Sequence, residues 1–164
     1  MEALWAPWRL DYVKDAKPVS ECVFCVAPTR DDALDREHGV IGYGEHGYVI
    51  LNRYPYTNGH VLVVPFAHES EIDQLDEAVQ ADLHRLLMRA VRMIKAAYGC
   101  PGLNIGLNMG SAAGAGIASH LHYHVVPRWP GDTNFMPVVG GAKVIPESLE
   151  AVYVRLKAAW SEHG

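Results

Sequence analysis

Three histidines alternate with other residues in the run His120-Leu121-His122-Tyr123-His124. On a β-strand alternate side chains share one face, so the three imidazoles would point the same way, with neighbours ~7 Å apart. Near neutral pH an imidazole can act as a general acid or base, a nucleophile or a metal ligand. The run is therefore a candidate reaction site, and three interpretations of its chemistry are open.

The three interpretations differ in what the histidines contact. In the first, the histidines are solvated or have satisfied hydrogen bonds and carry no chemistry, although three adjacent imidazoles are hard to explain as packing. In the second, two strand histidines and a distant third hold a catalytic zinc ion with one open position. In the third, a neutral imidazole attacks phosphorus while its other ring nitrogen keeps a proton and is held by a carbonyl or a carboxylate.

A loop rich in glycine and alanine, residues 110–116, comes immediately before the histidines. Attack at phosphorus needs donors around the phosphate oxygens, where negative charge develops. Glycines let backbone N–H groups approach an anion closely, although such a composition is equally typical of a plain surface loop. Beside three histidines, the loop favours a phosphate-binding role.

Cys22 and Cys25 form a Cys-x-x-Cys pair in a chain that has three cysteines. In a reducing compartment this spacing indicates metal or redox chemistry rather than a structural disulfide. A redox pair should open a helix after a strand, and no such context is visible. Metal binding and two unrelated thiols remain as the interpretations, and Cys100 has no assigned role.

The composition limits the class of protein. The chain has 164 residues, of which 49% are hydrophobic and 20% charged, and its net charge is −5. These values predict one folded domain with a packed core, and the acidic balance weighs against binding to nucleic acid. No apolar run reaches the ~20 residues of a membrane span, and the start does not resemble a secretory signal. We therefore expect a cytoplasmic protein with no membrane partner.

The hydrophobic pattern predicts the elements that must position these residues. Strands are predicted at 40–43, 48–52, 60–65, 103–108 and 119–127. Apolar residues recur at helical spacing over 79–97, with Asp76 as the N-cap and Gly99 as the stop. A final helix is predicted at 147–160, and residues 1–37 are predicted to be irregular. The pattern predicts an α+β fold, with about five antiparallel strands and a long helix on one face.

The histidine run and the two apolar residues after it, Val125 and Val126, resemble the signature of the histidine triad (HIT) family. Residues 51–65 are similar to the family's nucleoside-binding strands, and the resemblance covers about 38–130. The segments that resemble a bacterial branch including diadenosine tetraphosphate phosphorylases are 4–9, 104–110, 127–135 and 140–146. The implied organisation is a single domain over 1–164, with an irregular segment at 1–37, a HIT core at 38–130 and a C-terminal loop and helix at 131–164.

The resemblance implies a role for each matching residue. His122 matches the nucleophile that forms a nucleotidyl-histidine, His124 matches a donor to the phosphate or the leaving group, and His120 completes the catalytic triad. Asn52 matches a ribose contact, and His60 matches a buried support of the site. The implied phosphate contacts are Asn108, Ser111, Gly114 and Gly116. Several family members carry Gln or Ser at the last of these positions, so the anion site departs from their pattern.

The Cys-x-x-Cys pair resembles the zinc-binding pair of some members of the wider superfamily, including the uridylyltransferases. There the other ligands are a histidine just after the third strand and the first triad histidine, positions that His68 and His120 occupy here. Two thiolates and two imidazoles make a closed tetrahedral shell. The implied cofactor of Cys22, Cys25, His68 and His120 is structural zinc, with no organic cofactor.

The activity implied by the resemblance is nucleotidyl transfer or hydrolysis on an adenine nucleotide, in particular diadenosine tetraphosphate or another dinucleoside polyphosphate. Water as the acceptor makes a hydrolase, whereas inorganic phosphate makes a phosphorylase that releases ADP. The alternatives are a nucleoside phosphoramidate hydrolase and a nucleotide-binding sensor or scaffold with little turnover. The implied assembly is a homodimer.

Overall fold

The computed structural model describes residues 22–133 and 145–162. The motif at 4–9, and the parts of the C-terminal motifs that fall in 134–144, lie outside the described residues. The elements in chain order are α1 (Val23–Val26), α2 (Asp32–His38), β1 (Val40–Tyr43), β2 (Gly47–Leu51), β3 (Val61–Pro65), α3 (Glu77–Tyr98), β4 (Gly102–Leu107), β5 (Tyr123–Arg128) and α4 (Leu149–Glu162), with 3-10 turns at Ile72–Gln74 and Ser111–Ala113.

The five strands form one antiparallel sheet in the order β1-β2-β3-β5-β4. On β5, His124 is paired with Leu62 of β3 on one side and with Gly106 of β4 on the other. The strand that follows the histidine run therefore lies inside the sheet, while β4 forms an edge. The predicted α+β fold, with about five antiparallel strands, a long helix and a C-terminal helix, is confirmed.

The helices α3 and α4 cover one face of the sheet. The residues that α3 buries repeat at helical spacing, and its apolar ones are Leu83, Leu86, Leu87, Ala90, Met93 and Ile94. Gly99 ends this helix with a φ of 56°, a left-handed conformation that favours glycine. Asp76 lies at the predicted N-cap, but its side chain makes no capping hydrogen bond. Within the described residues no helix combines the length and apolar content that a bilayer crossing requires.

The segment around α1 covers part of the opposite face. Phe24 and Ala27 pack against Tyr48, Ile50 and Val64 in a second, smaller hydrophobic cluster. The hydroxyl of Tyr48 also donates to the backbone carbonyl of Phe24 at 2.6 Å. Both interactions hold α1 against the sheet, on the face that the long helix leaves uncovered.

The irregular segment predicted at 1–37 is wrong in its described part, because α1 and most of α2 lie within it. The carboxylate of Asp31 accepts from the N–H groups of Ala33 and Leu34, both at 3.0 Å. Gly39 ends α2 with a φ of 83°. These caps at both ends stabilise a helix that is too short to show a clear hydrophobic period.

The strand predicted at 119–127 begins later, at Tyr123. The residues just before it lie outside the sheet and contact a loop instead, since Leu121 N–H donates to the carbonyl of Glu69 at 2.7 Å. Two of the three histidines therefore precede the strand, and only His124 lies in it.

Candidate functional site

The histidines face away from the helices. Leu121 and Val125 are buried in the core formed with α3 and α4, so alternation turns the residues between them to the opposite face. The three histidines therefore share one face, as predicted, but their rings have different surroundings. His122 and His124 are neighbours with ring centroids 5.0 Å apart, whereas His120 lies against the two cysteines.

The orientation of His122 is fixed by a backbone group. The side chain is almost fully buried, and its Nδ1 lies 2.8 Å from the carbonyl oxygen of His120. Because a carbonyl can only accept, Nδ1 carries the proton, and the lone pair of the neutral ring is on Nε2. Burial lowers the pKa of His122, and the hydrogen bond to the carbonyl opposes this shift only in part. The ring is held as a neutral imidazole.

A chain of hydrogen bonds determines the tautomer of His124. The backbone N–H of Tyr56 donates to Nδ1 of His60 at 3.0 Å, so the proton of a neutral His60 is on Nε2. That Nε2 lies 3.0 Å from Nδ1 of His124, which must then accept. A neutral His124 therefore carries its proton on Nε2, in the form of a hydrogen-bond donor.

The residues behind His124 are tightly packed. His60 is 1% exposed, and the ring of Tyr56 stacks on His124 with centroids 5.8 Å apart. Asn52 follows the end of β2; its Oδ1 accepts from Tyr54 N–H at 2.9 Å, and its Nδ2 lies 3.4 Å from both ring nitrogens of His60. The structure thus places Asn52 and His60 beside the triad, and a ribose contact by Asn52 stays a prediction.

A cavity of about 410 Å³ opens beside His124, along β4 and β5. The residues that β5 contributes are His124, Val126 and Arg128, which alternate along the strand and share its face. β4 forms the other wall, where Gly106 lies opposite His124. Tyr56 also lines this space, so the cavity joins the histidines to the edge of the sheet.

The predicted phosphate contacts divide into two groups. Asn108, at the end of β4, lines the cavity. Ser111, Gly114 and Gly116 are exposed and are not among the residues that line it. The structure therefore brings Asn108 to the site, while contacts from the glycine-rich loop stay predictions.

Arg128 lies at the far end of the cavity and was not singled out by the sequence analysis. Its Nε and Nη2 donate to the carboxylate of Asp132 at 2.5 and 2.7 Å, and its Nη1 donates to Oδ1 of Asn104 at 2.6 Å. Alternation along β5 from His124 would have placed Arg128 on the same face, and Arg128 lies in the 127–135 segment that resembles the bacterial branch, but no role was assigned to it.

Cys22, Cys25, His68 and His120 form a cluster in which the four possible ligand atoms all lie within 4.8 Å of one another. The Sγ of Cys22 is 3.4 Å from Nδ1 of His120, and the Sγ of Cys25 is 3.2 Å from Nδ1 of His68. Zinc bonds of ~2.3 Å to sulfur and ~2.0 Å to nitrogen in a tetrahedron would place these atoms ~3.5 Å apart. The donor set and its spacing fit a zinc ion.

His120 connects this cluster to His122. Its Nε2 lies 2.9 Å from the carbonyl of Pro65, so this nitrogen carries the proton and the lone pair of Nδ1 is directed at the cysteines. The ring is fully buried, and both of its nitrogens are engaged away from the cavity. Its backbone carbonyl accepts the hydrogen bond from Nδ1 of His122. The structure thus places the His120 ring with the predicted metal ligands.

Phe24 is a second residue that the sequence analysis missed. It lies between the two cysteines, and its ring centroid is 5.4 Å from that of His120 and 5.0 Å from that of His122. Its place inside the Cys-x-x-Cys pair was the one signal available. Because Phe24 lies between the two cysteines, a shift of the cysteine–histidine cluster would also change the packing against His122.

Comparisons with known proteins bear on this site. Residues 33–131 match the protein family described as the HIT domain. A Mycobacterium tuberculosis protein named AP-4-A phosphorylase is 39% identical over 166 residues, covering 98% of this chain and 85% of its own length. The structure of a Zn-bound histidine triad family protein from Mycobacterium smegmatis has a TM-score of 0.67 and 27% identity, covering 87% of this chain and 95% of that one. A hypothetical histidine triad nucleotide-binding protein from Sulfolobus tokodaii also has a TM-score of 0.67, with 28% identity over 86% of this chain and 93% of its own.

Proposed function

The chain belongs to the histidine triad (HIT) family, and from that premise we propose that it cleaves diadenosine tetraphosphate, or a similar dinucleoside polyphosphate, at the α-phosphorus. It is a HIT-type nucleotide hydrolase or transferase. The observation that carries the finer proposal is the hydrogen bond from His122 Nδ1 to the His120 carbonyl, which leaves Nε2 as the nucleophile. The likeness to the protein named AP-4-A phosphorylase supports the choice of substrate.

In the first step, Nε2 of His122 attacks the α-phosphorus of the bound nucleotide. A nitrogen–phosphorus bond forms while the bond from phosphorus to the bridging oxygen of the leaving group breaks. For diadenosine tetraphosphate the leaving group is ATP, and AMP stays on His122. His124, with its proton on Nε2, donates to the phosphate or to the departing oxygen and stabilises the charge that develops there.

In the second step, an acceptor attacks the same phosphorus and releases His122. Water gives AMP, whereas inorganic phosphate gives ADP. We propose inorganic phosphate as the acceptor, because the relative that matches 98% of the chain is named a phosphorylase. In the same scheme, Asn52 contacts the ribose and Asn108 contacts a phosphate, with Ser111, Gly114 and Gly116 as further phosphate contacts from the loop.

The products formed from diadenosine tetraphosphate, with and without inorganic phosphate, test the acceptor. ADP and ATP that form only when phosphate is present support the phosphorylase. AMP and ATP formed regardless of phosphate identify a hydrolase. Rapid cleavage of adenosine phosphoramidate, with little cleavage of diadenosine tetraphosphate, would instead identify a nucleoside phosphoramidate hydrolase.

Replacement of His122 tests the nucleophile. In His122→Ala we expect turnover to collapse while nucleotide binding, measured by calorimetry, survives. His84→Ala, at an exposed position of α3, is the matched control and should keep full turnover. Unchanged turnover in His122→Ala would refute the nucleophile, and a wild-type protein that binds nucleotide without turnover would be a sensor or scaffold.

We also propose that Cys22, Cys25, His68 and His120 hold a structural zinc ion. The Zn-bound histidine triad protein from Mycobacterium smegmatis, which has the same fold, supports this, as does the spacing of the ligand atoms. Zinc would supply a crosslink between the Cys-x-x-Cys segment and the histidine run. Elemental analysis should find about one zinc per chain and none in the Cys22→Ser, Cys25→Ser double variant. Zinc-free wild-type protein, prepared without chelator, would contradict the proposal.

A homodimer is proposed as the assembly. β4 is an edge strand, and Ile105 on it is 45% exposed, so a second copy could continue the sheet. Light scattering on the full chain should give twice the mass of one chain, and a monomer at all concentrations would contradict this. The cytoplasmic location and the single domain over 1–164 stay predictions.

A further inference from the structure

We infer that the cavity along β4 and β5 binds the phosphates of the leaving group, and that Arg128 at its end favours leaving groups that carry several phosphates. This inference rests on the proposed function, because it concerns the part of the substrate beyond the α-phosphorus. Three observations support it: the position of the cavity, the space beside His124, and the fixed orientation of the Arg128 guanidinium.

The cavity runs from His124, whose ring is the neighbour of the His122 ring, to Arg128. His124 and Arg128 lie on the same face of β5, and both line the cavity. At ~3.3 Å per residue their Cα atoms are ~13 Å apart along the strand. A leaving group that departs beside His124 therefore extends along the strand, and a chain of linked phosphates runs toward the guanidinium.

The space for such a chain is created by a missing side chain. Gly106 lies opposite His124, and nothing lies within 4 Å of the position that a Cβ would occupy there. Asn104 and Asn108, on either side of it along the wall, also line the cavity. Their carboxamides can donate to phosphate oxygens. The wall is thus open where the leaving group departs from the α-phosphorus, and it is polar on both sides of the opening.

Arg128 is held in a fixed orientation by a buried partner. The side chain of Asp132 is 10% exposed and that of Arg128 is 40% exposed, so the carboxylate faces the protein. One carboxylate oxygen also accepts from Trp129 N–H at 3.1 Å. Among the described residues, the contacts with Asp132 and Asn104 use three of the five N–H groups of the guanidinium, so two more N–H groups could donate to a ligand.

The chemistry of this end of the cavity matches phosphate. Among the described residues that line it, Arg128 is the one arginine or lysine. A planar guanidinium in a fixed orientation binds phosphate oxygens with two parallel hydrogen bonds. A leaving group without phosphates cannot use this contact, so Arg128 contributes to the choice between substrates rather than to the chemistry at the α-phosphorus.

The test compares two substrates that share the adenylyl group. Diadenosine tetraphosphate releases a phosphorylated leaving group, whereas the 4-nitrophenyl ester of AMP releases one without phosphate. We expect Arg128→Gln to lower kcat/KM for diadenosine tetraphosphate ~10- to 100-fold, the loss typical of a charge-assisted hydrogen bond. The loss for the nitrophenyl ester should be much smaller, and Arg128→Lys should fall between. The control is Arg155→Gln, which removes an arginine of similar exposure on α4 and should change neither value.

Two results would overturn the inference. An equal loss for both substrates would show that Arg128 acts through the fold, and no loss for diadenosine tetraphosphate would show that no contact exists. Calorimetry with ATP and AMP decides the question without turnover. Arg128→Gln should weaken binding of ATP and leave that of AMP unchanged, and an equal effect on both would contradict the inference. A wild-type protein that cleaves neither substrate refutes the proposed function, while the ATP and AMP titrations still test the cavity.

Discussion

Two backbone groups determine where the protons of the reacting histidines lie. The carbonyl of His120 holds the proton of His122 on Nδ1. The amide of Tyr56 fixes His60, and His60 in turn fixes His124. Because a backbone group does not titrate in this range, each ring receives one tautomer. The buried ring of His60 lies outside the triad and passes the orientation of the Tyr56 amide on to His124.

Replacement of His60 by leucine should therefore disturb the reaction without touching the nucleophile. His124 loses the donor at its Nδ1, so its Nε2 is no longer held as the proton donor. We expect kcat to fall ~100-fold, at the lower end of what a positioned acid contributes, with a small change in KM. Steady-state kinetics on diadenosine tetraphosphate measure both values. The control is His84→Leu on the exposed surface of α3, and an unchanged kcat in His60→Leu would contradict the assignment.

At the residue scale the sequence predicts which side chains meet better than how they are oriented. The resemblance to zinc-binding members of the wider superfamily predicted that Cys22, Cys25, His68 and His120 would lie together, whereas the Cys-x-x-Cys spacing alone does not point to His68. The ring orientation of His120 depends on the carbonyl of Pro65 in β3, a partner that no local pattern reveals. Arg128 was missed for a related reason, since its role depends on partners in other segments.

Among the elements, β4 combines two functions that constrain its residues. It pairs with β5 along its whole length and also forms a wall of the cavity. Gly106 weakens a strand in principle, because glycine loses more backbone entropy than other residues on folding. Its presence opposite His124 is explained by the space that it leaves for a ligand.

Gly106→Val should separate stability from activity. Valine suits a strand, and its side chain would meet no atom of the protein within 4 Å of the Cβ position. We expect an unchanged or higher Tm and a loss of at least ~10-fold in kcat/KM for diadenosine tetraphosphate, because a blocked contact with a charged ligand costs at least that much. Gly106→Ala should give a smaller loss. Full activity in the valine variant would show that the leaving group does not pass this strand.

Gly42 of β1 has a purely structural reason to lack a side chain. A Cβ there would lie 2.1 Å from the indole of Trp160 on α4. Gly42→Ala should therefore push α4 from the sheet and lower the free energy of unfolding by ~1–3 kcal/mol, the usual cost of overpacking. Urea denaturation measures the change. Gly102→Ala is the control, because the atom nearest to its new Cβ would be 3.6 Å away. Equal free energies of unfolding for the two variants would contradict the packing argument.

The bounds of a helix or strand were predictable where the local hydrophobic pattern and turn residues alone determine them. β1 is found at Val40–Tyr43 as predicted, and α3 ends at the glycine that the sequence indicated. The start of β5 and the short helix α2 were not predictable, because both depend on specific partners. The segment before β5 pairs with the loop at Glu69, and α2 depends on the caps from Asp31 and Gly39.

On the scale of the whole molecule, the cysteine–histidine cluster joins segments that are distant in the chain. Cys22 and His120 are 98 residues apart, and Cys25 and His68 are 43 apart. The proposed zinc ion, held by all four residues, would close both loops, and its binding free energy would become part of the folding free energy. The cluster would then couple the stability of the fold to the position of the His120 carbonyl.

Removal of the metal should thus affect folding and catalysis together. Chelation of the wild-type protein should lower Tm by several degrees and reduce kcat, because His120 and Phe24 lose their common anchor. Calorimetric melting with and without chelator measures the first effect. The Cys22→Ser, Cys25→Ser variant is the control and should melt at one temperature in both conditions. Identical melting of the wild-type protein in both conditions would contradict the coupling.

The position of β4 at the edge of the sheet has a consequence for how affinity depends on enzyme concentration. Within the described residues its outer side pairs with no other strand, while its inner residues line the cavity. A second copy that pairs along this edge and a nucleotide in the cavity would then contact the same strand, of which Asn104, Ile105, Gly106 and Leu107 line the cavity. Thermodynamic reciprocity requires that if pairing tightens nucleotide binding by some factor, the nucleotide tightens pairing by that same factor. The amount of enzyme in a cell would then help to set how tightly each molecule holds its substrate.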